Sequence, residues 1–154
     1  MDLADLIAPE GVISPLKAKT KKQALLDLSG RAAELARIDG RFVFEQLLQR
    51  ERLGSTGIGK GIAIPHARIP ALTKIVCMFA RLEEPIDFEA TDNQPVEFLF
   101  LLLSPEHAGA DHLKALARIS RLMREPHAIE KLRMARSRAV LYSILTEPLA
   151  SSAA

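Results

Sequence analysis

Tryptophan is absent from this 154-residue chain, and tyrosine and cysteine occur once each. A lone Cys77 excludes an internal disulfide, and its place inside an apolar run marks it as a small buried hydrophobe. Aromatic residues make up only 5% of the sequence. None interleaves with the basic residues that gather at Arg118, Arg121, Arg124, Lys131, Arg133, Arg136 and Arg138. A nucleic-acid surface is therefore not expected, and that stretch reads as a solvated helical face or a docking patch for an acidic partner. A dominant sign of charge is missing too, since 21 basic residues face 19 acidic ones and leave a net charge of +2. No apolar run approaches the roughly 20 residues of a membrane span, so no membrane insertion is expected. The start, Met1-Asp2-Leu3-Ala4-Asp5, lacks the basic residues and long apolar stretch of a secretory signal. The expected location is cytoplasmic. What remains, 48% hydrophobic and 26% charged residues, is the composition of a globular domain. A single domain of this length buries roughly two-thirds of its unfolded surface.

The apolar pattern alternates between strand and helix signals. Gly11–Leu16 reads as a strand, placed at an edge by Pro15, which has no N–H for a ladder. Thr20-Lys21-Lys22-Gln23 has the form of a capping box with Thr20 as N-cap. The helix it starts carries Leu25, Leu28, Ala32 and Leu35 on one stripe and is expected to stop near Asp39-Gly40. Gly30 inside it costs about 1 kcal/mol against alanine. A second helix is expected over Phe42–Arg52, ended by Gly54. Ile75–Ala80 and Val96–Leu103 are nearly continuous apolar runs, the mark of strands covered on both faces. The link between them, from Glu83 to Pro95, is long enough to hold an extra short strand. Three helices follow: Asp111–Met123 with Leu113, Leu116, Ala117, Ser120 and Met123 on its inner side, Pro126–Ala135, and Ser137–Leu145. Residues 150–154 read as a disordered tail.

Chemistry concentrates between Gly54 and His66. Gly54 to Lys60 satisfies G-x-x-x-x-G-K, most of a nucleotide-binding loop. That loop needs Ser or Thr after the lysine, with a strand before it and a helix behind. Here Gly61 follows Lys60, a helical pattern precedes, and the β-branched, proline-closed Gly61–Pro65 comes after. A nucleotide site is not expected. The glycines instead offer close-set N–H groups to an anion. A histidine just beyond such a loop is the side chain that serves as both nucleophile and leaving group near neutral pH. These features point to a phosphoryl group carried on His66, with Ser55, Thr56, Gly57 and Gly59 as donors to its oxygens. Arg50, at the end of the preceding helix, suits bidentate binding of phosphoryl oxygens. Arg52, Lys60 and Arg68 are weaker candidates by the same reasoning. His112, in the first turn of its helix, is placed to assist His66, and His107 and His127 receive no role. No histidine pair has an i, i+4 ligand spacing and the lone cysteine lies in a strand, so no metal is expected; no cofactor is expected either.

The stretch Arg50-Glu51-Arg52-Leu53-Gly54-Ser55-Thr56-Gly57-Ile58-Gly59, continued by Gly61-Ile62-Ala63-Ile64-Pro65-His66, resembles the active-site segment of the fructose/mannitol-type IIA components of the bacterial phosphotransferase system. Leu82–Phe88 and Asp92-Asn93-Gln94-Pro95-Val96 are similar to later signatures of that family, and His112-Leu113 falls at its second histidine. The likeness extends from about residue 9 to 146. The complete glycine loop and Asp92–Val96 look most like the family's nitrogen-related regulatory branch. The resemblance implies a phosphorylatable His66 with Arg50 and His112 beside it, in an α/β domain whose mixed sheet is sandwiched by helices, over residues 1–149. It implies phosphoryl supply from phosphoenolpyruvate through enzyme I and an HPr-like carrier, and phosphorylation-dependent binding to transporters or kinases. The sugar-specific members pass the group to a IIB partner instead. Lys60 and Ala67-Arg68 stand where the family pattern has Asn and Gly-Lys, a departure that leaves the phosphosite intact and bears on partner choice.

Overall fold

The two apolar runs pair in the middle of the sheet. In the computed structural model, which describes residues 2–148, they are β5 (Val76–Ile86) and β6 (Val96–Ser104), antiparallel with Phe79 opposite Phe100. Residues 76–80 and 98–104 are buried throughout, because helices cover both faces of this pair. β1 (Ile7–Leu16) lies parallel to β5 at one edge, where Pro15 does no harm, and it begins four residues earlier than the sequence suggests. On the other side of β6, β3 (Ile62–Ala63) and β4 (His66–Arg68) both run parallel to it. β2 (Gly57–Gly59) closes that edge antiparallel to β3. The result is the mixed sheet between helices that the sequence predicts.

One strand falls elsewhere than expected. No separate strand forms in the described link after Glu83; β5 itself runs on to Ile86, with an irregularity after Arg81. The additional strand is β2, inside the glycine segment. Lys60 and Gly61 make its turn possible, both at positive φ (58° and 80°), as a two-residue primed hairpin turn requires.

Helices α1 (Lys21–Ala36) and α2 (Gly40–Arg52) cover one face. The Thr20 hydroxyl accepts from the Gln23 N–H at 3.1 Å, as a capping box demands. The returning Gln23 side chain takes the Lys19 N–H at 2.9 Å, one residue earlier than the standard box. Asp39-Gly40 does not end α1, which stops at Ala36 with Arg37 in a left-handed conformation. Instead Asp39 caps α2, its carboxylate accepting from the Arg41 N–H at 3.0 Å. Leu35, expected on the buried stripe, is 40% exposed and borders a surface hollow.

The opposite face is covered by α3 (Gly109–Met123), α4 (Pro126–Met134) and α5 (Arg138–Leu145). α3 is rotated from its expected setting. Ile119, Leu122 and Met123 fix its inner side, and the stripe through them runs back to Ala115 and His112. Leu113 is consequently turned outward at 65% exposure. The basic cluster is not one solvated face either. Arg118 is buried, Arg133 pairs with Glu97, and the Arg138 guanidinium donates to the Val12 carbonyl at 2.8 Å. Cys77 is buried, and desolvation pushes its thiol up to about 12. No helix among the described residues is long and apolar enough to cross a membrane. The predicted tail, 150–154, lies outside the described residues.

Candidate functional site

Proline breaks one strand track and so frees a carbonyl. Ile62 lies opposite Phe98 and His66 opposite Leu102, the same offset in both cases. β3 and β4 are thus one track interrupted at Ile64-Pro65. Pro65 has no N–H, and Ile64 sends its own to the Thr56 carbonyl at 3.0 Å. The Ile64 carbonyl turns to the side chain two residues on and lies 2.7 Å from His66 Nδ1. A carbonyl only accepts, so Nδ1 carries the proton of the neutral ring. Nε2 is left with its lone pair.

That ring is half-buried at the wall of a hollow of about 520 Å³. Gln46, Gln49, Arg50 and Leu53 from the end of α2 line one side, and Arg68, Glu106 and His112 the other. Both guanidinium groups are held by backbone. Arg50 Nη1 donates to the Gly54 carbonyl at 2.9 Å, and Arg68 Nη1 to that of Glu106 at 3.3 Å. His112 is buried, its ring centroid 5.7 Å from that of His66 and the two planes tilted by 57°. Its Nδ1 lies 2.6 Å from Ser104 Oγ.

Desolvation holds the His66 imidazole below the ordinary histidine range. The Ile64 carbonyl opposes that shift, the Arg50 charge adds to it, and Glu51 opposes it. His112 is shifted the same way, by burial first and then by the charges of Arg68 and His66. Both rings are therefore neutral at pH 7. The hollow holds a nucleophilic nitrogen beside two fixed cations, an arrangement suited to receive a phosphoryl group.

The structure brings His66, Arg50 and His112 together, and Arg68 with them. It does not bring Ser55, Thr56, Gly57 or Gly59 to the wall of the hollow. The Ser55 hydroxyl, both Thr56 donors and the Gly57 N–H are engaged within the fold. Ser55 Oγ donates to the Phe88 carbonyl at 2.7 Å and accepts from the Gly57 N–H at 3.0 Å. Buried Thr56 gives its N–H and hydroxyl to the Glu51 carboxylate at 3.0 and 2.5 Å. Gly57 is required for close packing, since a Cβ there would stand 2.7 Å from the Cβ of Ala90. The Lys60 N–H binds Asp92 at 3.0 Å, and neither Lys60 nor Arg52 lines the hollow.

Two functional supports escape the sequence reading. Glu51, its side chain buried behind the glycine segment, also takes Lys21 Nζ at 2.9 Å and so ties α1 and α2 to Thr56 just before β2. Ser104 is the other. Its one signal in the sequence is a hydroxyl ending a wholly apolar run, eight residues before His112.

Comparison with known proteins points to one family. The family model described as "Phosphoenolpyruvate-dependent sugar phosphotransferase system, EIIA 2" matches residues 5–147. A protein of Bradyrhizobium diazoefficiens named "Nitrogen regulatory protein" is 55% identical over 153 residues, covering 99% of this chain and 100% of its own. A "PTS system fructose-specific EIIA component" of Haloferax volcanii is 37% identical, covering 96% of this chain and 98% of the relative. Among solved structures, the nitrogen regulatory protein IIA-Ntr from Neisseria meningitidis superposes with a TM-score of 0.89 at 30% identity, covering 94% of this chain and 99% of that one.

Proposed function

This chain belongs to the EIIA type-2 family of the phosphoenolpyruvate-dependent sugar phosphotransferase system, and on that premise we propose that it is a regulatory phosphocarrier. It accepts a phosphoryl group on His66 from an HPr-like phosphohistidine protein, charged in turn by enzyme I and phosphoenolpyruvate. Its binding to target transporters or kinases then depends on the phosphorylation state. The observation that carries this reading is the Nδ1–H to Ile64 bond, which leaves Nε2 as the attacking nitrogen in an arginine-lined hollow.

The step balances without proton transfer. The Nε2 lone pair forms the new N–P bond as the carrier's N–P bond breaks, and the electron pair of that bond returns to the carrier's ring, which leaves as neutral imidazole because its other nitrogen keeps its proton. Charge spreads over the phosphoryl oxygens in the loose transition state, where Arg50 and Arg68 stand ready to bind it. Once phosphorylated, the His66 ring still bears its Nδ1 proton and is formally cationic. The bond to Ile64 then becomes charge-assisted and stronger, so the carbonyl favours the product as well as orienting the reactant. Donor and acceptor bonds are alike, so the exchange is close to thermoneutral and calls for a docking surface more than a strong catalyst.

Labelling with phosphoenolpyruvate, enzyme I and an HPr-like carrier tests this. Acid-labile label is expected on the wild type and not on His66→Ala, and equal labelling of the two would overturn the proposal. The sugar-specific alternative draws support from the name of the Haloferax relative. It predicts rapid loss of label to an added IIB protein, whereas the regulatory reading predicts retention.

A further inference from the structure

Ser104 ends β6 as the one polar side chain in the run from Phe98, and it is fully buried. The 2.6 Å contact with His112 Nδ1 is the hydrogen bond its hydroxyl makes among the described residues. The distance alone fits either direction of donation. A serine in a strand has no carbonyl one turn back to take its hydrogen, as a helical serine does. Were His112 Nδ1 the donor, the Ser104 hydrogen would be buried without an acceptor, and an unmade buried donor costs more than a spare lone pair. The hydroxyl therefore donates, Nδ1 accepts, and the proton of neutral His112 sits on Nε2.

We propose that Ser104 is a positioning residue for phosphoryl transfer, locking His112 in the Nε2–H form so that it presents a donor to the hollow. His66 is locked the opposite way by Ile64 and presents a lone pair. The two rings are thus complementary: one attacks phosphorus while the other donates to a phosphoryl oxygen. The N–P bond to the carrier breaks as the bond to His66 forms, and His112 keeps its proton throughout. With the opposite tautomer, His112 would set a lone pair against those oxygens and repel them. The role of the lock in transfer rests on the phosphocarrier reading above, but the lock itself does not.

Nitrogen-15 NMR of the histidine-labelled full chain separates the two. In the wild type His112 is expected to show a proton-bearing Nε2 and an accepting Nδ1. Ser104→Ala should shift the tautomer ratio by about fivefold toward Nδ1–H, the weight of one ordinary hydrogen bond. The rate of labelling through the relay should fall by about the same factor. Ser104→Thr, which keeps a hydroxyl, should restore both. The His66 resonances serve as the internal control, because the Ile64 bond does not involve Ser104 and should survive the alanine change. A wild-type His112 protonated on Nδ1, or a ratio unmoved in Ser104→Ala, overturns the proposal. A shifted ratio with an unchanged labelling rate overturns the positioning role alone. A wild type that takes no label while its tautomers are as described overturns the phosphocarrier reading, leaving the hydrogen-bond assignment in place.

Discussion

At the scale of single residues, the chemistry of His66 is set by a neighbour with no reactive group. Pro65 interrupts the strand, the Ile64 carbonyl is released, and one ring nitrogen is occupied so that the other is free. That His66, Arg50 and His112 gather at one hollow was legible, because an unusual glycine-to-proline segment and a family resemblance both mark them. The hydrogen bonds that fix them were not. Ser104 and Glu51 make contacts that only the folded register supplies, and the Ser55 hydroxyl and Thr56 donors, read in sequence as part of an anion loop, are engaged by Phe88 and Glu51. The depressed histidines carry a pH prediction. In the unfolded chain each ring takes a proton near 6.5, while in the folded chain burial delays protonation to lower pH. Between those values the unfolded state binds more protons, so stability falls as the pH drops through 6.5 and levels off once the folded rings are charged. Urea midpoints measured from about pH 8 to about pH 5 should show that decline, and His66→Ala should flatten part of it. A His66 NMR titration midpoint at or above 6.5 would contradict the assignment.

Secondary-structure elements obeyed their caps more faithfully than their stripes. Thr20 starts α1 as its capping box dictates, its hydroxyl accepting from the Gln23 N–H, and Ser137 caps α5 in the same way through the Val140 N–H. Stripe assignments failed where two faces had similar apolar content, as in α3, because the deciding partner is the sheet surface and not the helix itself. Glycine shows the same dependence on surroundings. Gly30 lies in the exposed middle of α1 with open space where a Cβ would go, whereas Gly57 has Ala90 against it. Gly30→Ala should therefore stabilise the fold by about 0.5–1 kcal/mol by restricting the unfolded chain and removing the helix penalty. Gly57→Ala should destabilise it by roughly 1–3 kcal/mol, since backbone must shift to admit the methyl group. Thermal unfolding of both variants checks the pair. Opposite signs are expected, and a loss of stability in Gly30→Ala would show that α1 is not packed as described.

For the whole molecule, the question is how the proposed phosphorylation of His66 would become a signal. Every group that meets the phosphoryl oxygens in the proposed mechanism is already fixed in the unphosphorylated chain. Arg50 is tied to Gly54, Arg68 to Glu106, His66 to Ile64 and His112 to Ser104. The hollow lies where the end of α2, β4 and the start of α3 converge, and a buried sheet separates the two apolar layers behind it. A site prepared in this way does not have to rearrange in order to bind its charge. Phosphorylation puts close to two negative charges on the phosphoryl oxygens and one positive charge on the ring, a net change of about one negative charge in a chain whose net charge is +2. In the proposed mechanism the change is one of surface potential, and the exposed Leu53 at the hollow stays where it is. Amide chemical shifts compared before and after phosphorylation should therefore move in residues 46–56, 64–69 and 104–113, while β1, α4 and α5 remain unshifted. Partner binding that distinguishes the two forms should weaken in its discrimination as salt rises, because surface potentials are screened within about 8–10 Å at physiological ionic strength. Shift changes spreading into α4 and α5, or discrimination indifferent to salt, would mean that the phosphoryl group works through a change of shape.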